Sequence, residues 1–398
     1  MAAPSSLYRN AIDLNRYSNS VAKQIVLAYN DIIIDSVNQL RIIDELSAPA
    51  KAARLRAILA QLKESLATWS GSSITSLTGD LQGLAELQSE FVVDQLRRVL
   101  PAGARNAVST VEISPQFAQS VVTTDPTRIN VVTLSDDLTA AVQGAPQTYA
   151  LTASKGAAIT LPNGQVVQKA FQGIVESQAE MFSQVVRNGL LTGESSQSIA
   201  RRLVGRLQLG ERGSVRQMAE KGGELTTASN RQVMTLVRTS VNQVANAASQ
   251  QVYEANQDIT ERYQYVATLD TRTSAICASL DGRVFEYGKG PTPPQHFNCR
   301  STTVPVIDYE KLGFDPPPEG RRASMDGRVP ADMSYGQWLN KQSQATKAAV
   351  LGKEKVGYFE LLAEKYGPRD AMAKLVRDDG SELTLEQLQR RYGAIKEG

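Results

Sequence analysis

The chain has a single histidine and two cysteines, and all three fall in one short segment. Eighteen residues separate Cys277 from the run His296-x-x-Cys299. Thiolates and imidazole are zinc ligands, and a structural zinc site takes four ligands from the protein. Only three soft ligands exist here, so the fourth corner of such a site would fall to Asp270, Asp281 or water. A second reading needs no metal: the cysteines are small buried hydrophobes, and His296 is a hydrogen-bonded side chain that pins the Pro293-Pro294 loop. A third makes Cys and His a nucleophile and its base, the pairing used in acyl transfer, although no oxyanion motif accompanies them. Arg272 and Arg300 flank the same segment. Each carries a planar fork that fits a carboxylate, with Asp270 the nearest partner in sequence, and each also fits a DNA phosphate.

Something must hold these residues together, and the flanking sequence reads mostly as helix. Apolar residues recur at three and four along Val21, Ile25, Ala28 and Ile32, and again along Leu55, Ile58, Leu59, Leu62 and Leu66. Pro49 fits the first turn of a second helix, and Ser70-Gly71-Ser72-Ser73 reads as a break before a third. The result is a helical hairpin or bundle over residues 1–101. Residues 102–167 are rich in Ser, Thr and Val, with a short strand expected at Asn130–Leu134. Asn163-Gly164 lies between β-prone flanks and predicts a two-stranded ribbon. Helices follow from Phe171 to about Gly189, from Glu194 or Ser195, and from Ser229 to Asn256, with the glycine-rich stretch Gly210–Gly223 expected as a surface loop. Tyr263–Asp270 alternates as a strand does. Residues 311–398 begin as a proline-rich extended connector and return to helix, with a break at Gly367-Pro368.

Composition narrows the class. At 398 residues the chain exceeds one compact core, and 41% apolar with 21% charged residues is ordinary globular usage. Aromatic content of 6% favours helices over sheet-rich domains. The expected fold class is mainly α with a small, turn-rich α+β module. A formal charge of +2 leaves no overall field for nucleic acid, so any DNA contact is local. The apolar run at Ile32-Ile33-Ile34 is broken by Asp31 and Asp35, so no membrane span is expected. No secretory signal opens the sequence, and the sparse cysteines suit folding in a reducing cytoplasm.

The segment Asp270-x-Arg272-Thr273-x-x-x-Cys277-x-x-Leu280-x-Gly282, then Pro293-Pro294-x-His296-x-x-Cys299-Arg300 and Pro305, closely resembles the signature of the phage Mu F-like minor head proteins, the phage head morphogenesis family. Many relatives carry cysteine where this chain has Ser274 and Ser301, a departure that bears on the metal reading. Three further blocks resemble the family in the right order. They are Gly193-x-Ser195 with Ile199-Ala200 and Leu203, Arg238-Thr239 with Ala245 and Asn246, and Tyr335-x-x-Trp338-Leu339-x-x-Gln342. The likeness covers about residues 168–375. It divides the chain into an N-terminal helical adaptor (1–101), a linker with short strands and a hairpin (102–167), a Mu F-like domain (168–310), and a proline-rich connector with a helical tail (311–398).

The resemblance implies a structural part of the virion head, acting in assembly near the portal, and no enzyme. Its implied partners are portal protein and major capsid or scaffolding protein, in several copies per virion, with assembly in the host cytoplasm. Packaging inside the capsid and ejection with DNA extend that expectation. Arg201-Arg202 with Arg206 and Arg212, and Arg321-Arg322 with Arg328, are basic stretches that would either touch packaged DNA or remain solvated, and neither interleaves aromatics as a single-strand platform would. The competing expectation is a phage-encoded effector or toxin-type enzyme, because related modules are joined to such domains. Against it, no Glu-x-Glu pair follows Ser301-Thr302-Thr303, and one histidine leaves little for nuclease chemistry.

Overall fold

The computed structural model describes residues 5–123, 148–150, 161–210, 212–310, 312–316 and 320–394. The apolar spacing of the first hundred residues winds them into α1 (Ser5–Leu40) and α2 (Ala48–Val99), joined by a 3-10 turn at Ile43–Glu45. Pro49 sits in the first turn of α2, where its missing N–H costs nothing. The break expected at Ser70–Ser73 does not occur, and α2 runs through it unbroken. Its neighbours explain why. Trp69, Leu77 and Leu81 are buried beside the small Ser70 and Ser73, and that packing outweighs the weak helix preference of Ser and Gly. The Trp69 indole N–H donates across to the Ile25 carbonyl at 3.1 Å, and its ring meets Tyr29 edge to face at 5.2 Å.

After a short parallel pair, β1 (Thr110–Glu112) with β2 (Thr148–Ala150), and the small helix α3 (Phe117–Val122), the chain reaches the Asn163-Gly164 turn. The turn forms, with Gly164 at φ 75° and its N–H donating to the Leu161 carbonyl at 2.8 Å. Among the described residues no ribbon follows it. Val167, Phe171 and Ile174 recur at helical spacing and are buried, which draws the second arm into α4 (Val167–Leu191). Ile159, Thr160 and the expected strand Asn130–Leu134 lie outside the described residues.

Helix α5 (Ser196–Val204) starts at Ser195, whose hydroxyl accepts from the Ser198 N–H. The expected loop at Gly210–Gly223 instead contains α6 (Val215–Lys221). A reciprocal capping box between Ser214 and Gln217 starts it, and buried Met218 anchors it. Next comes α7 (Glu224–Glu254), which packs against α1, α2, α4 and α5. These helices share one apolar core, to which Val304 and Ile307 also belong. The N-terminal helices expected as a separate adaptor are therefore packed onto the central segment, because the apolar faces of one helical pair need another surface to cover them.

Beyond α7 a three-stranded antiparallel sheet forms, with β3 (Thr260–Val266) between β4 (Val284–Glu286) and β5 (Thr302–Ile307). The register sets Tyr263 opposite Phe285 and Tyr265 opposite Thr303. The expected connector holds a hairpin, β6 (Arg321–Ser324) with β7 (Gly327–Pro330). Then α9 (Tyr335–Asn340), α10 (Gln344–Leu351), α11 (Lys353–Tyr366), α12 (Pro368–Lys374) and α13 (Leu385–Tyr392) build a second core around Trp338, Phe359 and Met372. Leu269 and Ala278 of the central segment join it. The architecture is mainly α with a small α+β module, as composition and periodicity indicate. Among the described residues no helix is long and apolar enough to cross a membrane.

Candidate functional site

Between β3 and β5 the chain makes a knot of turns around α8 (Ala275–Leu280). Ser274 caps this helix, accepting from the Cys277 N–H. Cys277 then faces Cys299 with the two Sγ atoms 3.6 Å apart, and His296 Nε2 lies 3.3 Å from Cys277 Sγ. The Tyr265 hydroxyl stands 3.2 Å from Cys277 Sγ, and Ser274 Oγ is 2.7 Å from His296 Nε2. Both cysteines are buried and free. His296 Nδ1 is 2.8 Å from the Phe297 carbonyl. A carbonyl can only accept, so hydrogen bonding assigns the proton to Nδ1 and leaves the Nε2 lone pair facing Ser274 and Cys277.

The electrostatics of the cluster follow from its crowding. The hydrogen bond between Cys277 and Cys299, helped by burial, pushes the Cys277 thiol well up; the same bond and the His296 contact hold Cys299 well below an ordinary thiol against the opposing effect of burial. His296 is raised, first by its interaction with Cys299, against the opposing effect of burial. The cluster thus sets a thiol of lowered pKa beside an imidazole of raised pKa. As nucleophile and base it lacks an opening, because Cys277 and Cys299 are both covered.

The two carboxylates expected as spare ligands are committed elsewhere. Asp270 receives both prongs of Arg300, at 2.5 and 2.8 Å, and the Arg272 N–H at 3.0 Å. Burial raises its pKa, but the Arg300 bonds and charge outweigh that and hold the carboxyl below its usual value. Asp281 accepts from the Ala267 and Tyr335 N–H groups, each at 2.6 Å, and from Arg322 at 3.0 and 3.1 Å. The side chains of Arg322 and Asp281 are only 4% and 0% exposed. Arg322, read from sequence as part of a solvated or DNA-facing basic stretch, is thus a buried clasp. Its fork also reaches the carbonyls of Ala267 and Met333, which ties β6 and α9 to the knot.

The remaining motif residues also serve the fold. Thr273 donates its hydroxyl to the Thr268 carbonyl. Gly282 turns the chain after α8 at φ 77°, a conformation that glycine adopts freely. Pro294 follows a cis bond in the loop that carries His296. On α7, Arg238 grips Asn19 Oδ1 of α1 with two bonds of 2.8 and 3.0 Å. Next to it Thr239 accepts from the Asn298 N–H at 2.9 Å, and one and two turns further on Asn242 and Asn246 both donate to the Ser301 carbonyl. Trp338 is buried in the second core and donates to Asp326 at 3.0 Å. Of the two arginines that flank the knot, Arg300 is largely covered and Arg272 is mostly in solvent, 77% exposed and 3.6 Å from Asp270. It lines a cleft of about 310 Å³ between α1 and the knot, together with Tyr8 and Arg300.

Sequence reasoning missed Arg322 as the partner of Asp281 and Ser274 as the partner of His296. The first pair is forty-one residues apart with no pattern joining it. The second had a signal in the serine-led start of α8.

Comparison with known proteins finds a likeness over part of the chain. Residues 180–304, from within α4 to within β5, match the family described as Phage Mu protein F like protein. Residues 180–304 are thus similar to the phage Mu F-like domain. An uncharacterized protein of Haemophilus influenzae is 31% identical over 102 residues, 24% of this chain and 22% of its own length. NAD(+)--arginine ADP-ribosyltransferase EFV of Enterococcus faecalis is 24% identical over 276 residues, 63% of this chain and 50% of its own length. The chain thus spans half or less of these curated relatives. No solved structure matches it.

Proposed function

We propose that this chain is a minor head protein of a tailed bacteriophage, acting in head morphogenesis near the portal. The match over residues 180–304 carries the reading. The use of the motif residues supports it: Asp270, Asp281, Arg300 and Arg322 are spent on internal pairing, and Arg238, Thr239, Asn242 and Asn246 bind α7 to its neighbours. A module whose signature residues hold shape is suited to scaffolding contacts rather than turnover. Its partners in this reading are portal protein and major capsid or scaffolding protein, in several copies per virion. Assembly takes place in the host cytoplasm, with final residence inside the head or beside the portal. Exposed Arg272 in its cleft is the place for local contact with packaged DNA, and the protein leaves with the genome at ejection.

Mass spectrometry of purified virions beside emptied particles, scaled to portal protein, tests this. A small fixed ratio to portal in full particles is expected, falling in emptied ones. Absence from both would sink the proposal.

A second reading, a toxin-type enzyme built on the same module, is favoured by one observation, the relative named as an NAD(+)--arginine ADP-ribosyltransferase. Half of that relative lies outside the match, and this chain has no Glu-x-Glu sequence. Incubation with labelled NAD+ and arginine-rich acceptor proteins separates the two, since incorporated label would move the enzyme reading to the front.

A further inference from the structure

We infer that Cys277, His296 and Cys299 bind one zinc ion, with a water molecule held by Ser274 at the fourth corner. The inference is independent of the head-protein reading. The side chains converge so that their ligand atoms all lie within 4.8 Å of one another, and they are every cysteine and histidine in the chain. A tetrahedral zinc with bonds of about 2.3 Å to sulfur and about 2.0 Å to nitrogen sets sulfurs about 3.8 Å apart and sulfur about 3.5 Å from nitrogen. The observed edges are 3.6 and 3.3 Å. Seating the ion therefore asks these two edges to open by about 0.2 Å, within ordinary side-chain adjustment.

The surroundings are arranged for a ligand set. The bond from His296 Nδ1 to the Phe297 carbonyl aims Nε2 inward, the support that metal-binding histidines usually have. The Tyr265 hydroxyl is placed to donate to the Cys277 thiolate. Two thiolates and a neutral imidazole around a dication sum to zero charge, which suits a buried site. Sulfur with imidazole selects zinc over the hard cations, and two cysteines are too few for an iron–sulfur cluster. Asp270 and Asp281 are held by Arg300 and Arg322, so neither fills the last corner. Ser274 Oγ sits 2.7 Å from Nε2, a hydrogen-bonding distance and too short for a tetrahedral edge, so it hydrogen-bonds the water rather than replacing it. The apolar cluster here is small, centred on Tyr265, Ala267 and the two cysteines, so a metal would add folding free energy where packing supplies little. Binding transfers the remaining thiol protons to buffer, leaving both sulfurs as thiolates.

The test uses the full chain purified with a histidine-free tag. Elemental analysis should give one zinc per chain. Exchange with Co2+ should give tetrahedral ligand-field bands and thiolate-to-cobalt charge transfer. Ser274→Cys supplies a fourth protein ligand and should tighten Co2+ binding roughly tenfold or more, the scale on which a neighbouring residue alters metal affinity. Cys299→Ser should lose the charge-transfer band, and if that variant fails to fold, Ser274→Cys still decides the case. Trace zinc with both thiols open to a thiol reagent after unfolding, or a cobalt spectrum without charge transfer, would overturn the site. So would a Ser274→Cys protein that binds no more tightly.

Discussion

In the helical body Tyr29, Trp69 and Phe171 meet edge to face inside one continuous apolar core, whereas the knot between β3 and β5 rests on Asp270 with Arg300, Asp281 with Arg322, and a cysteine–histidine cluster. Apolar packing is non-directional, so many side chains share the load and each is replaceable by another of similar size. A buried ion pair is directional, and removing one partner strands the other. The two regions should therefore fail differently. The two tryptophans offer a probe for each core, since Trp69 lies in the body and Trp338 in the C-terminal core that the clasp holds to the knot.

Breaking the clasp should have the largest effect. Arg322→Ala leaves the Asp281 carboxylate buried without its cation and should cost about 4 kcal/mol, read from the urea midpoint of Trp338 fluorescence in a Trp69→Phe background. The double change Asp281→Leu with Arg322→Met should recover most of that loss. A double variant no better than the single would show that the pair is not the organising contact. In the body, Leu62→Ala should cost about 3 kcal/mol in the Trp69 transition, whereas Leu62→Met should cost less than about 1.5 kcal/mol. Equal damage from both would mean that the body depends on specific shape as much as the knot does.

Smaller effects sharpen the contrast. Asn242→Ala frees the Ser301 carbonyl from its 2.9 Å bond and should cost about 1 to 2 kcal/mol, with faster hydrogen exchange along β5. Asp270 has a folded pKa below its unfolded value. Its stabilisation is therefore present above the unfolded pKa of about 3.9 and disappears as pH falls through the lower folded value. Asp270→Asn should flatten the acid limb of the stability curve, and an unchanged limb would reject the pairing. Arg272→Ala, at an exposed position, should stay within about 0.5 kcal/mol of wild type by the same urea assay.

The helices of the body were legible because periodic burial repeats along each one, and Val21, Ile25, Leu62 and Leu66 show it without reference to anything distant. Where the reading failed, distant contacts had overruled local preference. Ser70–Ser73 stays helical because Trp69 and Leu77 pack around it, and Val167 joins a helix rather than a ribbon because its face is buried. In the knot the residue types were legible, with Cys277, His296 and Cys299 meeting as their rarity implied. Their partners were less so. A bond such as Arg322 to Asp281 leaves no periodic trace, and the choice between a carboxylate as metal ligand and as ion-pair partner is made only in three dimensions.

The clasp also imposes an order in time. Chains fold from the N-terminus as they are made, so α7, β3 and the knot emerge before Arg322 and the Tyr335 N–H exist to meet Asp281. Until those residues arrive, Asp281 lacks its cation and keeps only the Ala267 N–H, so the knot should be less firmly closed. A nascent chain stalled between residues 310 and 320 should thus be readily cut by protease near α8, and one extended past α9 should resist. Sealing of the central module then reports that synthesis has passed it.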